Sequence, residues 1–197
     1  MADKPRLLLN SRDLTLTIVV LLAVCAIAAF ASGDVHWGVG SAADKGVIPT
    51  VEADAILKAT VPQVQFPLRE PGGAGVTAGV PTGWTANSSS QQTLSSGQQI
   101  VNLGYVTPDR QFLQLSQSDG PAADIVSSVF GSSVEQAGTV PVGDRTWQVY
   151  GPASDGRNAW LLPLDGVTLA LYGSATVPSF QQLAAAVQDQ HPMAKTG

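Results

Sequence analysis

The chain has 197 residues, of which 10 are Lys or Arg and 15 are Asp or Glu, and its formal net charge is −5 at pH 7. Scattered negative charge without a basic run argues against nucleic acid or anionic lipid headgroups as partners. The single cysteine excludes an intramolecular disulfide, so the fold must rely on its apolar core.

An uncharged apolar run, Leu14–Gly33, dominates the N-terminal part of the chain. About twenty residues at roughly 1.5 Å of helical rise cross a hydrocarbon layer of about 30 Å, so this run predicts one transmembrane helix. Lys4, Arg6 and Arg12 precede it, which predicts that residues 1–13 stay in the cytoplasm. The rest of the chain is then expected outside a cytoplasmic membrane that it spans once.

Two alternatives to a retained anchor stay open. Ala29-Phe30-Ala31 has the small-x-small pattern that a signal peptidase accepts, so cleavage after Ala31 would release the remainder. Cys25 lies in a setting similar to a lipoprotein signal, but Val24 occupies the position where a small residue is expected. The run exceeds the usual length of a signal-peptide apolar region, and this favours retention.

Three segments follow the predicted span. Residues 34–59 are predicted to be a juxtamembrane linker in which Trp37 suits the membrane interface and Val51–Lys58 suits two helical turns. Residues 60–190 are predicted to form one extracytoplasmic domain, large enough to bury well over half of its unfolded surface. Residues 191–197 are a tail.

The first half of the domain is predicted to contain extended segments, turns and a helix. Val64–Leu68 reads as extended, and Pro81-Thr82-Gly83 turns the chain before Trp84. Asn87–Gly97 is rich in Ser and Gln and predicts a surface loop or ragged edge. Alternating apolar residues at 100–106 and 112–117 predict a hairpin. A helix then runs from Pro121 until Gly131 ends it.

The second half predicts four consecutive strands and a final helix. The strands are expected at about 134–142, 145–150, 158–164 and 167–172. Gly143-Asp144 suits a type II′ turn and Asp165-Gly166 a type I′ turn, so these strands form an antiparallel meander. A helix begins at Pro178 and ends before His191-Pro192. The fold class is therefore α+β: a transmembrane helix, then one antiparallel sheet of about six or seven strands with two packed helices.

No catalytic, cofactor-binding or metal-binding residue is predicted. The two histidines, His36 and His191, lie outside the predicted strands and outside any expected pocket-forming loop, which leaves no base for a nucleophile relay and no zinc ligands. Most carboxylates neighbour Pro or Gly in turns. Glu70 and Glu135 are less clearly structural, so a two-carboxylate hydrolase stays as a minor alternative.

Aromatic and arginine side chains near the predicted strands are the best candidates for a binding surface. Trp147 and Tyr150 must point to opposite faces of the sheet, because successive strand residues alternate. Core packing is the competing explanation for each ring. The candidate binding residues are Trp84, Trp147, Tyr150, Trp160, Arg145 and Arg157.

Short motifs along nearly the whole chain resemble an actinobacterial family of single-span membrane proteins, domain of unknown function family 4245. They are Lys4-Pro5-Arg6, Ser11-Arg12-Asp13, Pro49-Thr50-Val51-Glu52, Pro81-Thr82-Gly83-Trp84, Tyr105-Val106-Thr107-Pro108, Leu169–Gly173 and Phe180-Gln181-Gln182-Leu183-Ala184. Through the motif that ends at Trp84 the chain is also similar to the fold group of PsbP and the Ran-binding Mog1 proteins. That resemblance implies a PsbP-like sandwich and an interaction module, and it transfers no catalytic residue.

The expected role is a membrane-anchored, extracytoplasmic, non-enzymatic domain that binds another envelope or membrane protein or assists assembly in the cell envelope. The alternative is a carrier or sensor of a lipid or small apolar ligand. It requires a cavity on the order of several hundred Å³, lined by residues such as Leu103, Leu115, Trp160 and Leu162.

Overall fold

The structure is a computed structural model that describes residues 48–131, 134–152 and 156–195. The predicted transmembrane helix at Leu14–Gly33 lies outside the described residues, as do Cys25, His36 and Trp37. Within the described ranges, no helix is long and apolar enough to span a membrane.

The described residues form nine strands: β1 (Val76–Thr77), β2 (Val80–Pro81), β3 (Thr85–Thr93), β4 (Gln99–Val106), β5 (Phe112–Ser118), β6 (Gln136–Val142), β7 (Arg145–Tyr150), β8 (Asn158–Leu164) and β9 (Val167–Gly173). Strands β3 to β9 form a seven-stranded antiparallel sheet, and β1 and β2 form a separate two-stranded ribbon. The strand order is β3-β4-β5-β9-β8-β7-β6, so the β3–β5 meander and the β6–β9 meander meet where β5 pairs with β9. This confirms the predicted α+β class, the hairpin and the four-strand meander.

Three α-helices pack on the sheet in the described part of the chain, whereas the sequence predicted two. They are α1 (Ala53–Thr60), α2 (Ala122–Phe130) and α3 (Val177–Val187), and a 3-10 turn at Val61–Gln63 follows α1. The additional helix, α1, lies where two helical turns were compatible with the sequence of the predicted linker. Its Ala53 and Leu57, four residues apart on one side, are buried in the core.

Each face of the sheet carries its own apolar cluster. One face, called here the α3 face, packs against α1, α3 and the extended segment around Phe66, and Trp147 lies in its core. The opposite face, called here the α2 face, packs against Ile125 and Val126 of α2, and Tyr150 is half-buried beside them. The predicted opposition of Trp147 and Tyr150 is thus confirmed.

For Asn87–Gly97 the structure shows the ragged edge of the two predicted alternatives, because most of this segment belongs to β3, an outermost strand whose register shifts between Ala86 and Ser88. Beyond Asn87 all residues of β3 are exposed, which is why they show no apolar alternation. One turn prediction differs from the structure. The Asp165-Gly166 turn is not type I′, which requires positive φ at both residues, because only Gly166 has it, at 72°. Gly143, at φ 55°, does satisfy the first position of a type II′ turn.

Candidate interaction surface

The three candidate tryptophans lie in the core of the α3 face. Trp84 is 8% exposed, Trp147 0% and Trp160 4%. Trp84 meets Tyr105 edge-on with ring centroids 6.2 Å apart, and Trp160 packs against Phe180 at 5.0 Å. The structure therefore assigns these rings to core packing, which was the alternative to a binding role for each of them.

Arg145 stands apart from the other arginine candidate. Its Nε lies 3.1 Å from Asp189 Oδ1, and the two side chains are 47% and 60% exposed. An ion pair this open to water contributes little stability. Arg145 is therefore a solvated side chain at the end of a hairpin.

Tyr150 and Tyr172 lie in one row across the α2 face. Both residues pair with Ala159 of β8, which places them two strands apart, roughly 9.5 Å between backbones. Gln114 of β5 pairs with Tyr172 on the other side and continues the row. We call Tyr150, Ala159, Tyr172 and Gln114 the tyrosine row.

Two side chains from outside the row complete this surface. The Arg157 guanidinium carbon lies 5.0 Å from the centroid of the Tyr172 ring, a cation–π arrangement. Phe130, at the end of α2, meets the same ring edge-on at 5.3 Å. Arg157 is exposed, and Phe130 and Tyr150 are half-buried. These side chains form an amphipathic surface of aromatic rings with one accessible cation. Aromatic residues and arginine are the residue types that anchor protein interfaces.

Beside the tyrosine row lies a small polar pocket of about 120 Å³ under α2. Gln114 Nε2 donates to Asn102 Oδ1 at 3.2 Å and to Ser116 Oγ at 2.9 Å, and Asn102 Nδ2 donates to Ser90 Oγ at 3.2 Å. This network fixes the position of the Gln114 amide. At about 30 Å³ per molecule the pocket suits a few waters and is too small for a lipid chain.

Two of the six candidate binding residues lie on the surface formed by the tyrosine row, Arg157 and Phe130. They are Tyr150, which is half-buried, and Arg157, which is exposed. Sequence reasoning gave Phe130 and Gln114 no binding role, and it did not place Tyr172 beside them. Alternation along each strand does put Tyr150 and Tyr172 on the faces they occupy. Alternation alone does not show that Tyr150 and Tyr172 lie on the same face of the sheet, because that depends on β8 lying between β7 and β9.

A second groove changes the expectation for His191. A groove of about 360 Å³ is lined by both Glu70 and His191, so this histidine does border a pocket, contrary to the sequence prediction. The fold brings the tail after α3 back to the segment before β1, and Met193 N donates to Leu68 O at 2.7 Å. No group of three or more His, Cys, Asp or Glu side chains able to hold a metal occurs in the described residues.

The residues named for an apolar ligand cavity lie in the packed core instead. Leu103, Leu115, Trp160 and Leu162 are at most 5% exposed and belong to one cluster. None of them lines the grooves of about 420, 360, 320 and 120 Å³ among the described residues; the groove of about 420 Å³ lies near Gln65 and Asp119. The alternative of an apolar-ligand carrier gains no support from these positions.

A family profile described as a protein of unknown function, DUF4245, matches residues 6–187. No curated protein and no solved structure matches the chain.

Proposed function

The chain belongs to the DUF4245 family of proteins of unknown function, and we propose that it is a membrane-anchored, non-enzymatic interaction module on the outer side of the cytoplasmic membrane. Its partner is another envelope or membrane protein, and no nucleic acid is involved. The finer fold assignment belongs to the same proposal: the domain is a PsbP-like sandwich, a fold group whose members mostly bind or assemble other proteins.

The anchor of this proposal is Leu14–Gly33, whose uncharged length suits one transmembrane helix. The basic residues before it favour an N-terminus in the cytoplasm, which supports the proposed position of the domain outside. The intact mass of the membrane-fraction protein tests the retained anchor. A measured mass near 20.3 kDa supports the retained anchor. The mass of a chain that has lost residues 1–31 by cleavage after Ala31 overturns it.

The observation that carries the interaction role is the tyrosine row with Arg157 and Phe130. A protein partner that covers this surface buries the half-exposed rings of Tyr150 and Phe130. It also removes the Arg157 guanidinium from water while the Tyr172 ring stays against it. Desolvated aromatic and arginine anchors provide most of the binding free energy in typical interfaces.

Cross-linking in intact membranes followed by mild detergent extraction tests the role, with Arg157→Ala against Arg145→Ala as the matched pair. Both arginines are exposed, so neither change should unfold the domain. We expect a discrete cross-linked complex whose yield falls at least fivefold in R157A and stays unchanged in R145A. Recovery of the wild type only as a free monomer would remove the basis of the proposal. Equal yields in both variants would place the interface elsewhere.

A further inference from the structure

The two outer strands of the sheet differ in how their edges are protected. β6 carries Pro141 and a register shift between Gln136 and Gly138, both of which hinder pairing with another strand. β3 has neither proline nor charge, and after a shift near Ala86 its residues Ser88 to Thr93 pair with β4 in unbroken register. β3 is therefore the edge better suited to accept a further strand.

Within residues 48–131, 134–152 and 156–195, little backbone hydrogen bonding reaches the outer side of β3. In an antiparallel ladder alternate residues of an edge strand direct N–H and C=O groups away from the sheet. In the described residues, one backbone bond reaches the outer side of β3, from Val51 N to Ala86 O at 2.9 Å. The segment from Ser88 to Thr93 has all six side chains exposed. Its outward backbone groups are available to an extended partner.

Helix α1 forms a groove beside this open edge. The groove has a volume of about 320 Å³, and its apolar part consists of the half-buried Ile56 and, at its floor, Val101, which is 3% exposed. Its polar part is larger and consists of Thr60, Ser89, Ser90, Gln91 and Asn102. Gln91 Nε2 donates to Thr60 Oγ1 at 3.2 Å. No charged residue lines it. The volume suits one large apolar side chain on an uncharged segment.

We infer that β3 and α1 together bind an extended, uncharged peptide segment of a partner protein, which adds a strand at Ser88–Thr93 and packs one apolar side chain against Ile56 in the groove. Main-chain hydrogen bonds supply affinity in this mode, and the side-chain pocket supplies specificity. The inference rests on the proposed interaction role, but it concerns a different surface from the tyrosine row.

A second copy of the chain fits the groove less well. Antiparallel pairing of β3 with its own copy would offer the groove side chains from the same Ser and Gln run. Those side chains are small or polar, and they offer no apolar contact to the half-buried Ile56. An extended segment of different sequence can pair its main chain with β3 and also place an apolar side chain in the groove.

Selection of random twelve-residue peptides on the purified full chain tests the inference. We expect enriched peptides to be uncharged, to alternate in β-strand fashion and to share one Leu, Ile, Val or Phe. The most enriched peptide, synthesised with a fluorescent label, is then titrated against Ser89→Lys and against Thr139→Lys as the matched control on β6. Both positions are exposed strand positions, so both variants should fold.

The expected result is at least a tenfold loss of affinity in S89K and in Ile56→Ser, with T139K and R157A unchanged. Amide exchange at Ser88–Thr93 should slow when the peptide binds. Failure to enrich any peptide, or equal binding to S89K and wild type, would overturn the inference. A wild-type dimer that S89K converts to monomer, without peptide binding, would also overturn it by assigning the edge to a second copy. Because the cross-linking test uses R157A, the two proposals fail separately.

Discussion

The indole Nε1 of Trp147 donates a hydrogen bond of 2.9 Å to the side-chain oxygen of Gln188, and both residues are buried. The same amide donates from its Nε2 to the carbonyl of Val142 at 3.0 Å. One side chain just after α3 thus satisfies two buried groups of the β6–β7 hairpin. The final helix and the last meander are joined by polar as well as apolar contacts.

Replacing Gln188 by Leu should destabilise the domain strongly. The change leaves the Trp147 N–H buried without a partner, which costs about 1–3 kcal/mol, and removes one hydrogen bond to the Val142 carbonyl, which still pairs with Arg145 across the hairpin. We expect the free energy of unfolding to fall by about 2–4 kcal/mol in urea titrations. Gln65→Leu, at an exposed position, is the control and should change it by less than about 0.5 kcal/mol. A Q188L variant as stable as Q65L would show that the network contributes nothing.

A second buried amide, Gln117, holds the segment before β1 on the sheet. Its Oε1 accepts from Arg69 N and its Nε2 donates to Arg69 O, each at 2.8 Å, as a neighbouring strand would. Gln117→Leu should therefore lower the free energy of unfolding by about 2 kcal/mol. It should also speed amide exchange at Arg69 more than at Leu115, which lies within the sheet. Uniformly faster exchange would instead indicate general destabilisation.

Replacement by alanine should have different effects at two strand glycines, Gly173 and Gly138. A Cβ at Gly173 would lie 2.2 Å from the Phe112 carbonyl oxygen and 3.0 Å from Leu113 Cα, so the main chain itself must shift. A Cβ at Gly138 meets nothing within 4 Å. Gly173→Ala should cost about 3 kcal/mol or more, as overpacking does, and Gly138→Ala less than about 0.5 kcal/mol. Equal melting temperatures for the two variants would contradict the close strand approach.

The second meander could be predicted because its signals are local. Gly143 and Gly166 mark two-residue connections, and the alternation on either side sets the strands. β3 lacked such a signal, since beyond Asn87 its side chains are exposed and pairing with β4 alone defines it. Helix α1 was predicted only as two possible turns, because its buried Ala53 and Leu57 gain meaning only once the sheet is present.

The candidate surface was harder to predict than the fold. Tryptophan favours cores and interfaces alike, and no local pattern told Trp147 in the core from Tyr150 at the rim. The tyrosine row requires β5, β9, β8 and β7 to be neighbours, and the β5–β9 pairing joins residues about 50 to 60 positions apart. Arg157 acquires its role only when β8 and β9 place it over Tyr172.

The stability of the domain should decrease above about pH 10 because of Tyr105. Burial, with a smaller contribution from the negative charge of Glu70, raises the pKa of this phenol above its ordinary value, and its hydroxyl donates to Gly79 O at 3.0 Å. The folded chain therefore keeps the proton at pH values where the unfolded chain, with a tyrosine pKa of about 10, loses it. Stability is fully present below that pH and falls by up to about 1.4 kcal/mol per pH unit above it. Urea midpoints measured from about pH 8 to 11 should show this slope in wild type and in Tyr150→Phe, and a shallower one in Tyr105→Phe. An unchanged slope in Y105F would assign the alkaline loss to other groups.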